Sequence, residues 1–230
     1  MIKRDDILHP VERNTLILHI LFAALCVLTL IAPIETKVGV RLFFLVLIYN
    51  LSLPILGMLK KHRDLVGLWL FAFILSIFQI WPDYFLSSRL EILFFPEDGL
   101  FKLGSVSGYM AGLWTIPIFL IVFIAQRIRI RFSENISYWA AAITSLVVFG
   151  VSEQSMWMLS SWRAQNVTLI GHMAVYIILP EIIFGLSAYW CYEKIKDMNH
   201  WVKVPTAFLI MLLYLGSASY FYFLIEVVIV

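Results

Sequence analysis

"HMAVYIILPEIIFGLSAYW", residues 172–190, decides the fold. It is almost all hydrocarbon and close to the roughly 20 residues that an α-helix needs to cross a bilayer. It nevertheless keeps a carboxylate, Glu181, directly after Pro180. A stretch this apolar belongs in lipid, and a carboxylate inside it needs a reason to be there.

The rest of the chain agrees with the first half of that reading. Of 230 residues, 62% are hydrophobic, 16% aromatic and only 14% charged. A soluble domain is about 45–50% apolar and about 25% charged, so the excess cannot be hidden from water. Apolar runs near 15–34, 39–59, 65–86, 108–126, 137–159, 168–190 and 205–229 are each long enough to span. Inside lipid only helices satisfy the backbone of such runs. The expected fold is therefore all-α: a polytopic membrane bundle of seven transmembrane helices forming a single domain over 1–230. The first run follows the mixed-charge segment 1–14 and is longer than a signal-peptide core, so it reads as a retained helix.

Lysine and arginine set the orientation. The N-terminus and the loops after helices two, four and six hold twelve: Lys3, Arg4, Arg13, Lys60, Lys61, Arg63, Arg127, Arg129, Arg131, Lys194, Lys196 and Lys203. The other face holds five: Lys37, Arg41, Arg89, Lys102 and Arg163. This asymmetry predicts a cytoplasmic N-terminus, an outside C-terminus and residence in the cell (inner) membrane. The net charge of +2 reflects that topology, and no nucleic-acid partner is implied. Cys26 and Cys191 are expected as free thiols, and "NVT" at Asn166 is an outward-facing glycosylation sequon. Nothing in the sequence signals an oligomeric state.

The one long connection, residues 87–107, mixes Leu, Ile and Phe with Glu91, Glu97, Asp98 and Lys102. It either lies along the outer membrane surface, folds back over the bundle mouth, or is a plain loop. Pro54, Pro117 and Pro180 recur every 63 residues, near the middle of helices two, four and six. That spacing suggests three parallel hairpin repeats plus a seventh helix, although evenly built hairpins produce a similar interval from helix length alone. A mid-helix proline kinks its helix and would turn each kink, and Glu181 with it, toward the bundle interior.

Charged groups inside a bilayer cost about 2.5–3.5 kcal/mol each and usually face a functional cavity. The candidate catalytic residues are Glu181, Glu153, Asp83 and His172. Glu181 is expected about 10 Å deeper than Glu153, at 1.5 Å per residue, and Asp83 and Glu226 close enough to the interface to be solvated. The candidate substrate-binding residues are Trp114, Trp157, Phe149 and Asn50; Phe149 and Trp157 flank Glu153 one turn to either side. Trp162, Trp190 and Trp201 suit an interfacial aromatic belt.

Helix seven, from Pro205 onward, contains no lysine for a retinal Schiff base, and the histidines are scattered, so no metal site is expected. No phosphate loop or nucleophile elbow is present either. What remains is acid chemistry among aromatic rings, without a cofactor. A neutral carboxylic acid in an apolar pocket donates a proton, and π faces stabilise a carbocation. The partners expected are membrane lipids and a hydrophobic small-molecule substrate.

These residues carry a resemblance. "VSEQSMWMLSSWRAQNVTLIGHMAVYIILPEIIFG" from Val151, with Glu153, Trp162, Pro180 and Glu181, and "IWPDYFLSSRLEILFFPEDGLF" from Ile80, with Asp83, Pro96, Glu97 and Asp98, resemble the small integral-membrane lycopene cyclases. In that family an acid ends one helix, an aromatic outer loop follows, and a proline-led acidic motif enters the next helix. Here Pro180 is followed by one glutamate, with Ile182 and Ile183 beyond it. The resemblance implies protonation of a polyene and ring closure without oxidation or metal. Read from the residues alone, a proton-coupled carrier and a non-catalytic assembly or sensing subunit remain alternatives.

Overall fold

The computed structural model describes residues 9–33 and 35–230. Lys3 and Arg4, counted above toward orientation, lie outside them. Among the described residues, seven helices are long and apolar enough to cross a membrane: Pro10–Ile31, Val38–Leu59, Arg63–Ser88, Met110–Arg131, Glu134–Leu159, Val175–Ile195 and His200–Ile229. The protein is an all-α polytopic membrane bundle. The N-terminus and the C-terminus lie on opposite faces, named below by the terminus each carries.

The first two spans are single helices, α1 (Pro10–Ile31) and α2 (Val38–Leu59). The third is α3 (Arg63–Phe78) continued by α4 (Ile80–Ser88). The fourth is a short turn, α5 (Met110–Leu113), then α6 (Thr115–Arg131). The fifth is α7 (Glu134–Ser155), ending in a 3₁₀ turn at Met156–Leu159. In the sixth a 3₁₀ turn, Val175–Ile177, leads into α8 (Ile178–Ile195). The last is α9 (Lys203–Tyr222), which loosens into a π-helix over Phe223–Ile229.

Neighbour contacts close five of these spans into a ring: α3 packs on α9, α9 on α8, α8 on α7, α7 on α6, and α6 back on α3. Near mid-span this ring is tightly packed. Gly185 of α8 lies directly against Ser145 of α7, with Ile121 of α6 beside them. Small residues of this kind let helix backbones approach closely where lipid supplies no hydrophobic drive. The helix α2 packs on the outside of α3, and α1 lies outermost on α2, with Leu16, Ile20, Leu21, Val27 and Leu28 exposed to lipid. One buried point pins α1 to the bundle: His19 meets the Tyr49 hydroxyl at 3.1 Å and stacks on Phe119.

The prolines depart from expectation. Pro54 is inside α2 but only five residues from its end at Leu59. Pro117 and Pro180 each occupy the third position of their helix, α6 and α8. They do not share a depth with Pro54, so the 63-residue interval does not mark three equivalent kinks. Proline cannot donate to the carbonyl four residues upstream. For Pro117 that carbonyl is Leu113, the last residue of α5, and for Pro180 it is Tyr176, inside the 3₁₀ turn. Both prolines therefore begin a helix after a broken turn. Pro54 and Pro180 are buried and Pro117 half-buried.

The sixth span starts later than its apolar run suggests. Residues Leu169–Ile170 and Met173–Ala174 form a β-hairpin turning at Gly171, whose φ is +66°. His172 sits in that turn rather than two turns inside a helix. On the same face, strand β1 (Leu93–Phe94) pairs antiparallel with strand β2 (Arg163–Ala164), Leu93 opposite Ala164. The segment after the third span is thereby laid across the bundle mouth and stitched to the segment after the fifth. Gln165 and Asn166 both donate to the Glu91 carbonyl at 3.0 Å, and Tyr109 meets Ser161 Oγ at 2.7 Å. Within it Asp98 is buried and accepts from Ser107 Oγ and the Leu100 amide, while exposed Glu97 pairs with Lys102.

Candidate functional site

Beneath this cap the ring of helices encloses a cavity of about 150 Å³. The two broken turns shape it. Leaving the helix just before Pro117 carries Met110, Leu113 and Trp114 inward, and the turn before Pro180 does the same for Tyr176 and Ile177. Leu93, Phe95, Trp162 and Ala164 come down from the cap, and Tyr214 enters from α9.

Three carboxyl groups line it: Asp83, Glu153 and Glu181. Asp83 lies five residues from the end of its span at Ser88, Glu153 six from Leu159, and Glu181 six from the start at Val175. At 1.5 Å per residue, all three sit about 8–9 Å below the C-terminal-face ends of their helices. They form one layer. Glu181 is thus not 10 Å deeper than Glu153; the hairpin at 169–174 consumes the residues that would have put it there. Asp83 is 2% exposed and Glu181 4%, so Asp83 is not solvated at the interface.

The three acids are held differently. Trp114 donates its indole N–H to Asp83 Oδ2 at 3.0 Å, and Trp162 donates to Glu153 Oε1 at 2.9 Å. Among the described residues no donor reaches the Glu181 carboxyl. No lysine, arginine or histidine lines the cavity. A site of this composition is filled by protons or by a cationic guest, because several unpaired buried charges are prohibitively costly.

Its floor is aromatic. Trp114 packs at 5.4 Å from Phe149, 5.6 Å from Phe184 and 5.6 Å from Tyr214, and Phe184 and Tyr214 lie 5.0 Å apart. Rings crossing edge to face present both electron-rich faces and positive edges. A positive centre above them is attracted by the faces.

Five of the residues singled out in the sequence meet here: Glu181, Glu153, Asp83, Trp114 and Phe149. Three do not. Asn50 donates to the Val46 and Gly112 carbonyls at 2.9 and 3.1 Å and accepts from Trp69. It braces α5 from behind. Trp157 is 40% exposed and stacks on exposed His172 at 4.1 Å, outside the cavity, because the 3₁₀ turn after α7 rotates it off the face of Glu153. Glu226 likewise serves the outer surface, accepting from Thr168. Residues missed are Trp162, Tyr176 and Tyr214. Trp162 is 9% exposed, not a belt residue. Its place in the loop that follows the Glu153 helix was the available signal.

Fold and site define a polytopic membrane protein with an aromatic, carboxyl-lined cavity under a two-loop cap. The chain belongs to the family described as a domain of unknown function (DUF6989), which it matches over residues 80–225. Every residue lining the cavity falls within that match, whereas α1, α2 and α3 precede it. No curated protein and no solved structure matches the chain.

Proposed function

We propose that this protein is an integral membrane enzyme that protonates a bilayer-dissolved isoprenoid or related unsaturated lipid, with Glu181 as the proton donor. One observation carries the proposal: of three carboxyl groups in one aromatic cavity, Glu181 alone has no hydrogen-bond donor on it. A neutral carboxyl with a free O–H is a general acid. Indole donors orient the carboxyl groups of Asp83 and Glu153 as acceptors. The Glu181 proton adds to a carbon–carbon double bond, and the resulting cation rests over the rings of Trp114, Phe149 and Tyr214. Loss of a proton to Glu153 or Asp83 then ends the reaction. The sum is an isomerisation with no net redox change, and ring closure of a polyene, as the lycopene cyclase resemblance implies, is one form of it.

A cavity of about 150 Å³ accepts a benzene-sized group. One end of a long substrate fits, with the remainder in lipid. In the orientation given by the lysine and arginine bias, the N-terminus is cytoplasmic, the residence is the inner membrane, and the carboxyl layer lies in the outer half of the bilayer.

The test is lipid analysis of cells expressing the wild-type protein or Glu181→Gln, grown in deuterated water. A product present only with the wild-type chain, carrying solvent deuterium, supports the reading. Identical lipid profiles overturn it. The cavity's lack of a basic side chain favours a second reading, a proton-coupled carrier of a small organic cation. Unchanged lipids together with cation uptake lost in Glu181→Gln select that reading.

A further inference from the structure

A second cavity, of about 420 Å³, lies between α1 and α2. Two faces of α1 explain it. Thr15, His19 and Phe22 face the bundle, with His19 and Phe22 on Tyr49, while Asn14, Leu18, Leu21 and Leu25 line the slot opposite Ile48, Ser52, Leu56 and Lys60. Two ties hold the helices in register without closing the gap. Asn14 bonds His62 at the N-terminal face, and Arg41 donates to the Thr29 and Ala32 carbonyls at the other end.

The slot is graded in polarity. Asn14 and Lys60 sit at its mouth, and below them Leu18, Leu25, Ile48 and Leu56 make apolar walls. Lys60 to Ile48 is 12 residues of α2, about 18 Å of rise. That is close to one leaflet, half of the ≈ 30 Å hydrocarbon core. The mouth is cationic: exposed Lys60 is followed by Lys61 and Arg63, and Lys60 has no ion pair among the described residues.

We infer that this slot is a binding site for one anionic phospholipid of the leaflet at the N-terminal face. Its phosphate is held by Lys60 and Asn14, and an acyl chain fills the apolar shaft. The shaft length matches a chain, and the charge at its mouth matches a headgroup. A second copy of this protein would leave Lys60 buried against its own like-charged equivalent in a symmetric pairing. The inference does not depend on the proposed chemistry, since slot and carboxyl cavity share no residue.

The experiment is native mass spectrometry of the full chain in mild detergent, incubated with phosphatidylglycerol or phosphatidylcholine. One phosphatidylglycerol should be retained per chain in preference to phosphatidylcholine. Lys60→Ala should lower that retention roughly fivefold, the effect of one lysine near an anionic surface. Lys60→Arg should preserve it, and Leu21→Trp, which fills the exposed flank of the slot, should abolish retention of both lipids. Equal retention of the two lipids, or no change in Lys60→Ala, would overturn the site. So would rapid cross-linking of Leu21→Cys into dimers that exclude lipid.

Discussion

The indole N–H of Trp162 lies 2.9 Å from Glu153 Oε1, and through that bond the outer cap touches the carboxyl layer. Trp162 belongs to the segment that also supplies β2 (Arg163–Ala164), so the cap both covers the cavity and fixes one of its acids. Asp83 receives the same treatment from Trp114. Two of three carboxyl groups are therefore oriented by indoles from elements other than their own helices, and the third, Glu181, carries no such bond.

Trp162→Phe keeps an aromatic ring at the site and removes the N–H donor together with part of the ring volume. The expected loss is about 1 kcal/mol of stability, the net worth of one such bond. A cycle of Trp162→Phe with Glu153→Leu should return a coupling of about that size. Additive effects in thermal unfolding would mean that the bond does not form.

Gly185 and Ser145 close the ring below the cavity. A methyl group at 185 has no room against Ser145, so Gly185→Ala should destabilise by about 1–3 kcal/mol, the usual cost of overpacking. Combining it with Ser145→Gly should recover part of that loss. If Gly185→Ala melts like the wild type, the helices are not in contact at this level.

Gln79 lies one turn before Asp83, fully buried, and neither its amide nitrogen nor its oxygen has a partner. A buried amide left unpaired costs about 1–3 kcal/mol. Gln79→Met, of similar volume, should therefore raise the melting temperature. A lowered one would reveal ordered water at this position.

Alkaline pH should act on Tyr109, just outside the fourth span. Burial pushes its hydroxyl from 10 up to about 12, so the folded protein keeps this proton where the unfolded chain has lost it. Between those values the folded state binds more protons, and stability falls as pH rises. The contribution is complete below pH 10 and drains away toward pH 12. Subtracting the profile of Tyr109→Phe from that of the wild type should isolate a slope confined to this window. A flat difference would place Tyr109 in water.

What the sequence discloses and what it hides have separate physical causes. Spans show themselves because lipid demands a continuous apolar run, and Glu153 and Glu181 show themselves because carboxylates are costly within one. The hairpin at 169–174 is hidden because its residues are as apolar as a helix's, leaving only Gly171 to mark the turn. The error then spreads: a helix begun too early moves Glu181 too deep and His172 inside. The bond between Asp83 and Trp114 joins residues 31 apart, and only tertiary packing brings them together. In the sequence Trp157, one turn from Glu153, reads as the cavity residue and Trp162 as a belt residue, and the structure exchanges them. The 3₁₀ turn after α7 decides which of them faces the carboxyl layer.

The difference between the acids gives the last prediction. Glu181 is buried with no hydrogen bond on its carboxyl, so its polar group is a net cost to folding. Glu181→Leu removes that cost and leaves no donor orphaned, and should stabilise the protein by about 1–3 kcal/mol. Asp83→Leu and Glu153→Leu each strand an indole N–H in an apolar cavity, and the penalty on that donor offsets the relief, so neither should stabilise. Thermal unfolding of the three variants at one pH checks the order. A residue kept at a cost to stability, whose replacement by leucine stabilises the fold and abolishes the lipid product, fits a group retained for its proton. If Glu181→Leu instead destabilises as strongly as the other two, its carboxyl has a partner in the folded protein, and its assignment as the free acid fails.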